Sequence, residues 1–195
     1  MSKLVICAVI AYLLGNISPS IIMSRLKGSD IREHGSGNAG TTNMLRTYGK
    51  KAAALTLVID VIKGAAAVLI GRAVGGETGA CVAVVAVICG HIWPCFYGFK
   101  GGKGVAASLG ALLALSPKLA LAVAVIALAV MAVTRMVSAG SVAAAVSLPF
   151  LSLWLARPFF PFSVVMALIV IFKHRSNIGR IMRGEESKLD FSKYK

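Results

Sequence analysis

A chain of 195 residues that is 57% hydrophobic and only 14% charged is not a water-soluble globular domain, in which about a quarter of the residues carry charge. Its net charge of +14 fits an integral membrane protein whose Lys and Arg collect on the cytoplasmic side, with attraction to anionic lipid or anionic substrate as a second contribution. Nucleic-acid binding is a poor fit, because the basic groups are divided among loops between apolar runs.

The first apolar run, about Leu4 to Met23, reads as a retained helix. "GNISPSIIM" stands where a cleavable signal would have its small-residue site, and the apolar run then resumes. The second and third runs extend from about Lys51 to Gly71 and from about Thr78 to Phe96. Residues 105–133 are almost free of charge, yet as one helix they would be about 44 Å long, against a hydrocarbon core of about 30 Å. Ser116-Pro117-Lys118 breaks them into a short helix, 104–115, and a full one, 118–134. "ARPFFP" (156–161) divides the last stretch into helices near 139–155 and 159–173. The expectation is an all-α integral membrane protein, a seven-helix bundle with one short helix, forming a single domain over residues 1–195. Five helices result if neither split is real. Assigned to alternating ends of the segments, Lys and Arg fall sixteen to four. That places the N-terminus outside and the C-terminus in the cytoplasm. The polar stretches at 30–50, 97–104 and 174–186 then share the cytoplasmic face under either helix count.

Cys7, Cys81, Cys89 and Cys95 lie in or beside apolar runs without a C-x-x-C pair, so they read as buried small hydrophobes. Asp60 and Lys63, three apart inside the second run, read as a structural pair, since charges within a membrane are costly unless paired.

Three polar stretches carry the chemistry. In "GSGNAGTTNMLR" (35–46), Ser36, Asn38, Thr41, Thr42 and Asn43 offer hydrogen bonds, and Gly35, Gly37 and Gly40 allow backbone N–H groups to approach an anion. Arg46 adds a fork suited to phosphate. In "GHIWPCFYGFKGGKGVA" (90–106), Gly101, Gly102, Lys103 and Gly104 open a helix whose N-terminus favours phosphate. This is not a Walker loop, because Gly104 stands where Ser or Thr belongs. In "HRSNIGRIMRGEE" (174–186), a helical continuation aligns His174, Asn177 and Arg180, although a tail bound to acidic headgroups would also explain the composition. No Asp follows a His at the His-x4-Asp spacing, no acidic cluster suits Mg²⁺, and the His and Cys residues lack zinc spacing. Any reaction must therefore begin from an activated substrate, with no metal and no cofactor called for.

Together these motifs resemble the bacterial acyl-phosphate-dependent glycerol-3-phosphate acyltransferases, the PlsY family. The first motif is matched at Ser36, Asn38, Gly40, Asn43 and Arg46, and the second through all of "FKGGKGVA". The third is matched at His174, Arg175, Asn177, Ile178, Arg180, Gly184 and Glu186. Ala39 stands where the family commonly has Pro, and Ser176 where it commonly has Glu. The resemblance implies transfer of an acyl chain from acyl phosphate to the 1-hydroxyl of sn-glycerol 3-phosphate, giving lysophosphatidic acid and inorganic phosphate. The implied partners are these two substrates and membrane lipids, with no nucleic acid and no obligatory protein. On that basis Ser36, Lys103 and the glycine N–H groups hold one phosphate. Arg46 and Asn177 hold the second or polarise the acyl carbonyl. The base is a substrate phosphate or His174, and Glu186 is architectural, pairing with Arg180 or Arg183. The rival from another class is a transporter for a phosphorylated metabolite, which would need access from both faces.

Overall fold

The computed structural model describes residues 1–189, and among these every regular element is helical, with no strand. The chain divides into two compact units, one formed by Met1–Leu115 and the other by the described part of Ser116–Phe191.

In the N-terminal unit the first apolar run is two helices, α1 (Ser2–Asn16) and α2 (Pro19–Leu26). The expected single helix through this run is corrected here. Pro19 has no N–H to give the Gly15 carbonyl four residues back, so the helix stops and restarts with Pro19 in its first turn. Helix α3 (Thr41–Ile92) is broken at Gly49 (φ 80°, ψ −174°) and Gly76 (φ 63°, ψ −154°). That backbone region is open essentially to glycine alone. The breaks leave helical segments 41–48, 50–75 and 77–92. The first lies in a stretch that reads as polar loop; the other two are the second and third apolar runs. Segment 77–92 folds back on 50–75 with Gly71 and Gly79 backbone to backbone. Gly15 of α1 meets Gly90 in the same manner. Helix α4 (Val105–Leu115) lies on 50–75 through Gly64 against Ala107 and Gly110 against Val61. Such contacts between small residues let helix backbones approach closely in lipid, where apolar burial gives little net drive.

In the C-terminal unit α5 (Pro117–Thr134) starts with Pro117 behind Ser116, whose Oγ accepts from Leu119 N at 3.4 Å. Gly140 brings α6 (Val137–Leu155) against Ala127 and Met131 of α5. Ser152 and Ser163, both fully buried, share a 2.9 Å hydroxyl bond that joins α6 to α7 (Phe160–Lys173). Beyond His174 the chain turns by 59° into α8 (Arg175–Met182).

Among the described residues four stretches are long and apolar enough to cross a membrane: Ser2–Leu26, Thr41–Tyr97, Pro117–Thr134 and Val137–Leu155. The bent pair Arg157–Lys173 with Arg175–Met182 makes a fifth candidate. Their outward faces are apolar. On α5, Leu121, Val125 and Leu128 share one face and are 66%, 56% and 61% exposed, a surface suited to lipid. All four cysteines are free thiols. Cys7 and Cys81 are buried and Cys89 is partly so, whereas Cys95 is exposed, a correction to the expectation that all are buried. It lies in the 3-10 turn Cys95–Tyr97 that follows α3, outside the packed helix faces.

Candidate active site

The first two polar stretches meet within the N-terminal unit. Asp30 caps the 3-10 turn Ile31–Glu33 by accepting from Arg32 N at 3.0 Å, and its carboxylate grips the Arg32 guanidinium at 2.9 and 2.7 Å. These Arg32 hydrogen bonds hold the Asp30 carboxyl well below the usual carboxylate range despite partial burial. Oriented in this way, Arg32 donates through Nη1 to the carbonyls of Tyr97 at 2.7 Å and Lys100 at 3.2 Å. One guanidinium thereby ties the 30–46 stretch to the 97–104 stretch across 65 residues of sequence. Gly102 completes the junction, because a Cβ there would strike the Ala39 carbonyl and the His91 ring. The sequence presents Arg32 only as one more topological charge, and neither Asp30 nor Arg32 belongs to the motif residues.

Asn43 organises the first loop. Its buried amide donates to the carbonyls of Ile31 (3.1 Å) and His34 (2.9 Å), and its Oδ1 accepts from Ser36 N at 3.0 Å. Gly35, with φ 57°, passes so close to Oδ1 that a side chain would collide. Both amide hydrogens and Oδ1 of Asn43 have partners within the loop, so the side chain shapes the loop here.

Three of the glycine amides have partners within the loops. Gly37 N donates to His34 O at 2.9 Å, Gly101 N to Ile92 O at 3.1 Å and Gly102 N to His91 O at 3.1 Å. These three N–H groups are engaged inside the loops. The glycines serve close approach of one loop to another. The groups around the junction are therefore mostly side chains. Ser36 is exposed and Asn38 partly so, and Lys103 is half-buried between Gly102 and the left-handed Gly104 (φ 83°). Arg46 is half-buried and has no hydrogen bond or ion pair among the described residues. The Thr41 hydroxyl, in the first turn of α3, is buried with no hydrogen-bond partner among the described residues.

The third stretch is organised within the C-terminal unit. His174 is buried at the α7–α8 bend, 2.8 Å from the Val170 carbonyl through Nδ1. A carbonyl can only accept, so Nδ1 carries the proton and Nε2 is the basic nitrogen of the neutral ring. Asn177 and Arg180, three apart on α8, both turn to Glu186. Asn177 Nδ2 donates to Oε1 at 2.6 Å, Arg180 Nε to Oε2 at 2.7 Å, and Ser138 of α6 adds its hydroxyl to Oε1 at 2.7 Å. Glu185 pairs with Arg183 at 2.7 Å. Ser138 is a partner that no motif signals.

Burial alone would raise the Glu186 carboxyl. The bonds from Ser138, Asn177 and Arg180, with the guanidinium charge, outweigh that and hold it below its ordinary value. A lowered folded-state pKa gives stability that is complete above the unfolded value of about 4.3 and lost as pH falls through the folded one. Thermal unfolding in detergent from about pH 7 to about pH 3 is expected to show a falling midpoint, with a smaller fall in Glu186→Gln.

A model described as glycerol-3-phosphate acyltransferase matches residues 5–184. Glycerol-3-phosphate acyltransferase of Thermoanaerobacter sp. (strain X514) is 47% identical over 188 residues, covering 95% of each chain. That of Clostridioides difficile (strain 630) is 46% identical over 196 residues, again covering 95% of each. The fold is similar to the crystal structure of PlsY, an integral membrane glycerol 3-phosphate acyltransferase, in its glycerol 3-phosphate form. The TM-score is 0.90 and the identity 34%, with 96% of each chain covered. The lysophosphatidic acid form of PlsY gives a TM-score of 0.88 at the same identity, covering 97% of this chain and 96% of that one. With motifs, fold and whole-length similarity in agreement, the chain belongs to the PlsY family of integral membrane glycerol-3-phosphate acyltransferases.

Proposed function

We propose that the protein transfers an acyl group from acyl phosphate to the 1-hydroxyl of sn-glycerol 3-phosphate, releasing lysophosphatidic acid and inorganic phosphate, as the first acylation of bacterial phospholipid synthesis. The observation that carries this reading is the junction made by Arg32 and Gly102, which joins the stretch bearing Ser36 and, on the helical segment 41–48, Arg46 to the loop bearing Lys103. A cluster of cations and hydroxyls suits phosphorylated substrates, and it offers no strong nucleophile of its own. The relatives' names and the two ligand forms of PlsY support the same substrate and product pair.

In this reading Lys103, Ser36, Asn38, Thr41 and the Gly104 amide bind one phosphate. Arg46 binds the second or draws electron density from the acyl carbonyl, as oxyanion donors do. Asn177 and Arg180 serve the same reaction, with Asn177 held by Glu186. The substrate hydroxyl attacks the acyl carbon, the C–O bond to phosphate breaks, and the hydroxyl proton passes to a phosphate oxygen. The leaving group is already good, so orientation supplies much of the rate. A second reading makes His174 the base, and the observation favouring it is the Val170 carbonyl that orients the ring. Both units belong to one catalytic domain, consistent with a family match that runs through them. The N-terminus is outside and the three polar stretches face the cytoplasm, as the charge asymmetry implies.

Purified protein in detergent or lipid cubic phase, given acyl phosphate and glycerol 3-phosphate, is expected to release phosphate without added metal. Absence of release, with labelled glycerol 3-phosphate taken up by proteoliposomes, would replace the enzyme by a transporter. In the same assay His174→Gln is expected to retain turnover; total loss with substrate binding intact assigns the proton to His174.

A further inference from the structure

Asp60 and Lys63 form a 2.8 Å ion pair in segment 50–75, with side chains 2% and 3% exposed. Mutual neutralisation would need nothing more, yet Lys63 reaches well beyond its partner. Its ammonium donates to the carbonyls of Gly15 at 3.1 Å and Ile17 at 2.5 Å, both at the α1–α2 break. Gly15 is the residue whose carbonyl Pro19 cannot serve. The third contact is Nδ1 of His91, at 2.9 Å in segment 77–92. Asp60 Oδ1 lies 2.8 Å from the ammonium and 3.4 Å from His91 Nδ1, so the carboxylate supplies the counter-charge to this cluster.

Lys has donors only, so the ammonium is the donor in its 2.9 Å contact with the ring nitrogen. His91 Nδ1 thus faces the Lys63 ammonium and, at 3.4 Å, the Asp60 carboxylate. The Nε2 edge lies against Gly102, close enough that a Cβ there would collide, and the His91 carbonyl accepts the Gly102 N–H at 3.1 Å. Gly102 immediately precedes Lys103. A continuous set of contacts therefore runs from the α1–α2 break through Lys63 and His91 to the loop that carries Lys103.

We propose that Lys63 and His91 are positioning residues for acyl transfer: the ammonium fixes the imidazole, and the imidazole fixes Gly102 and with it the phosphate-binding Lys103. This rests on the function proposed above. Replacing a buried ion pair by apolar or neutral groups of similar volume is often neutral for stability or better, so the charges of Asp60 and Lys63 are not by themselves required for folding.

The test uses two variants: Asp60→Asn with Lys63→Met, which removes both charges, and His91→Phe, which keeps the bulk against Gly102 but removes the acceptor for Lys63. Phosphate release is measured in detergent while each substrate is varied, alongside the thermal unfolding midpoint. Displacing Lys103 without removing it is expected to raise the KM of one phosphorylated substrate about ten-fold or more while kcat stays within about three-fold. The midpoint of the charge-free double variant is expected to fall, because the Gly15 and Ile17 carbonyls lose their donor, while the rise in KM persists in the folded protein. Unchanged KM values in folded variants overturn the proposal. So does a rate that drops only with the folded fraction, or failure of both variants to fold, since the cluster would then serve the fold alone. An inactive wild type overturns the proposed function and this inference together, whereas an active wild type with unaltered variants overturns only the inference.

Discussion

Arg46→Ala is expected to lower kcat/KM for acyl transfer by about 10²- to 10³-fold, the loss typical of removing one preorganised donor to developing charge. Arg46 lies on segment 41–48, half-buried and without a hydrogen bond or ion pair among the described residues. A cation in that setting makes no visible contribution to folding, so its removal should change the unfolding free energy by no more than about 0.5 kcal/mol. Arg46→Lys should recover only part of the activity, because an ammonium cannot reproduce a two-pronged grip on phosphate. Initial rates with each substrate varied, together with thermal unfolding, check all three statements. A kcat/KM within about three-fold of wild type for Arg46→Ala would remove Arg46 from the reaction.

Gly102→Ala should cost nearly as much activity by a different route. The added methyl would meet the Ala39 carbonyl and the His91 ring. One is backbone, and the other is held by Lys63 at 2.9 Å, so neither yields readily. The loops must separate, and overpacking of this kind destabilises by about 1–3 kcal/mol. A loss of about 100-fold or more in kcat/KM is expected, since a shift of about 1 Å in a positioning group has that effect. Gly98→Ala is the control. Gly98 has open space around it, and its φ of 65° imposes only conformational strain, about 1–2 kcal/mol. If both variants lose activity equally, backbone strain explains the result; if Gly102→Ala alone loses it, the contact between loops is what matters. Wild-type activity in Gly102→Ala would show that the junction does not set the geometry of the site.

Much of the helical pattern is legible in the residues. Pro117 behind Ser116, and the Arg-Pro near residue 157, stop helices because proline lacks the N–H and clashes with the preceding turn. The observed α4, α5, α6 and α7 start and end within a few residues of the bounds expected from those breakers. Pro19 carries the same signal. It is missed in the sequence because apolar residues continue beyond it, and hydropathy does not register a break whose flanks are both greasy. Segment 41–48 is missed for the opposite reason: polar composition reads as loop, although Gly40 and Gly49 bound one short helix.

The candidate site divides in the same way. Residue types at Ser36, Arg46 and Lys103 announce anion chemistry wherever the chain places them, because charge and hydrogen-bonding capacity belong to the side chain. The use made of a backbone amide is not a property of its own residue. Gly101 and Gly102 could have faced an anion, but their N–H groups are taken by Ile92 and His91, and Gly37 by His34. Asn43 likewise has the chemistry of a ligand-binding amide and the partners of a loop organiser. Glu186 has two arginines within reach in sequence, Arg180 and Arg183, and the fold of the C-terminal segment assigns it Arg180 and Ser138.

Composition, apolar run length and the positions of Pro and Gly determine by themselves that this is a helical membrane protein with three polar segments, since these depend on residue chemistry and on neighbours within a few turns. Only the tertiary structure decides that Arg32 joins Tyr97 across 65 residues and that Lys63 joins Gly15 across 48 and His91 across 28. The physical reason is that a buried donor takes whatever acceptor the packing brings within about 3 Å. No local periodicity specifies which distant carbonyl or ring nitrogen that will be.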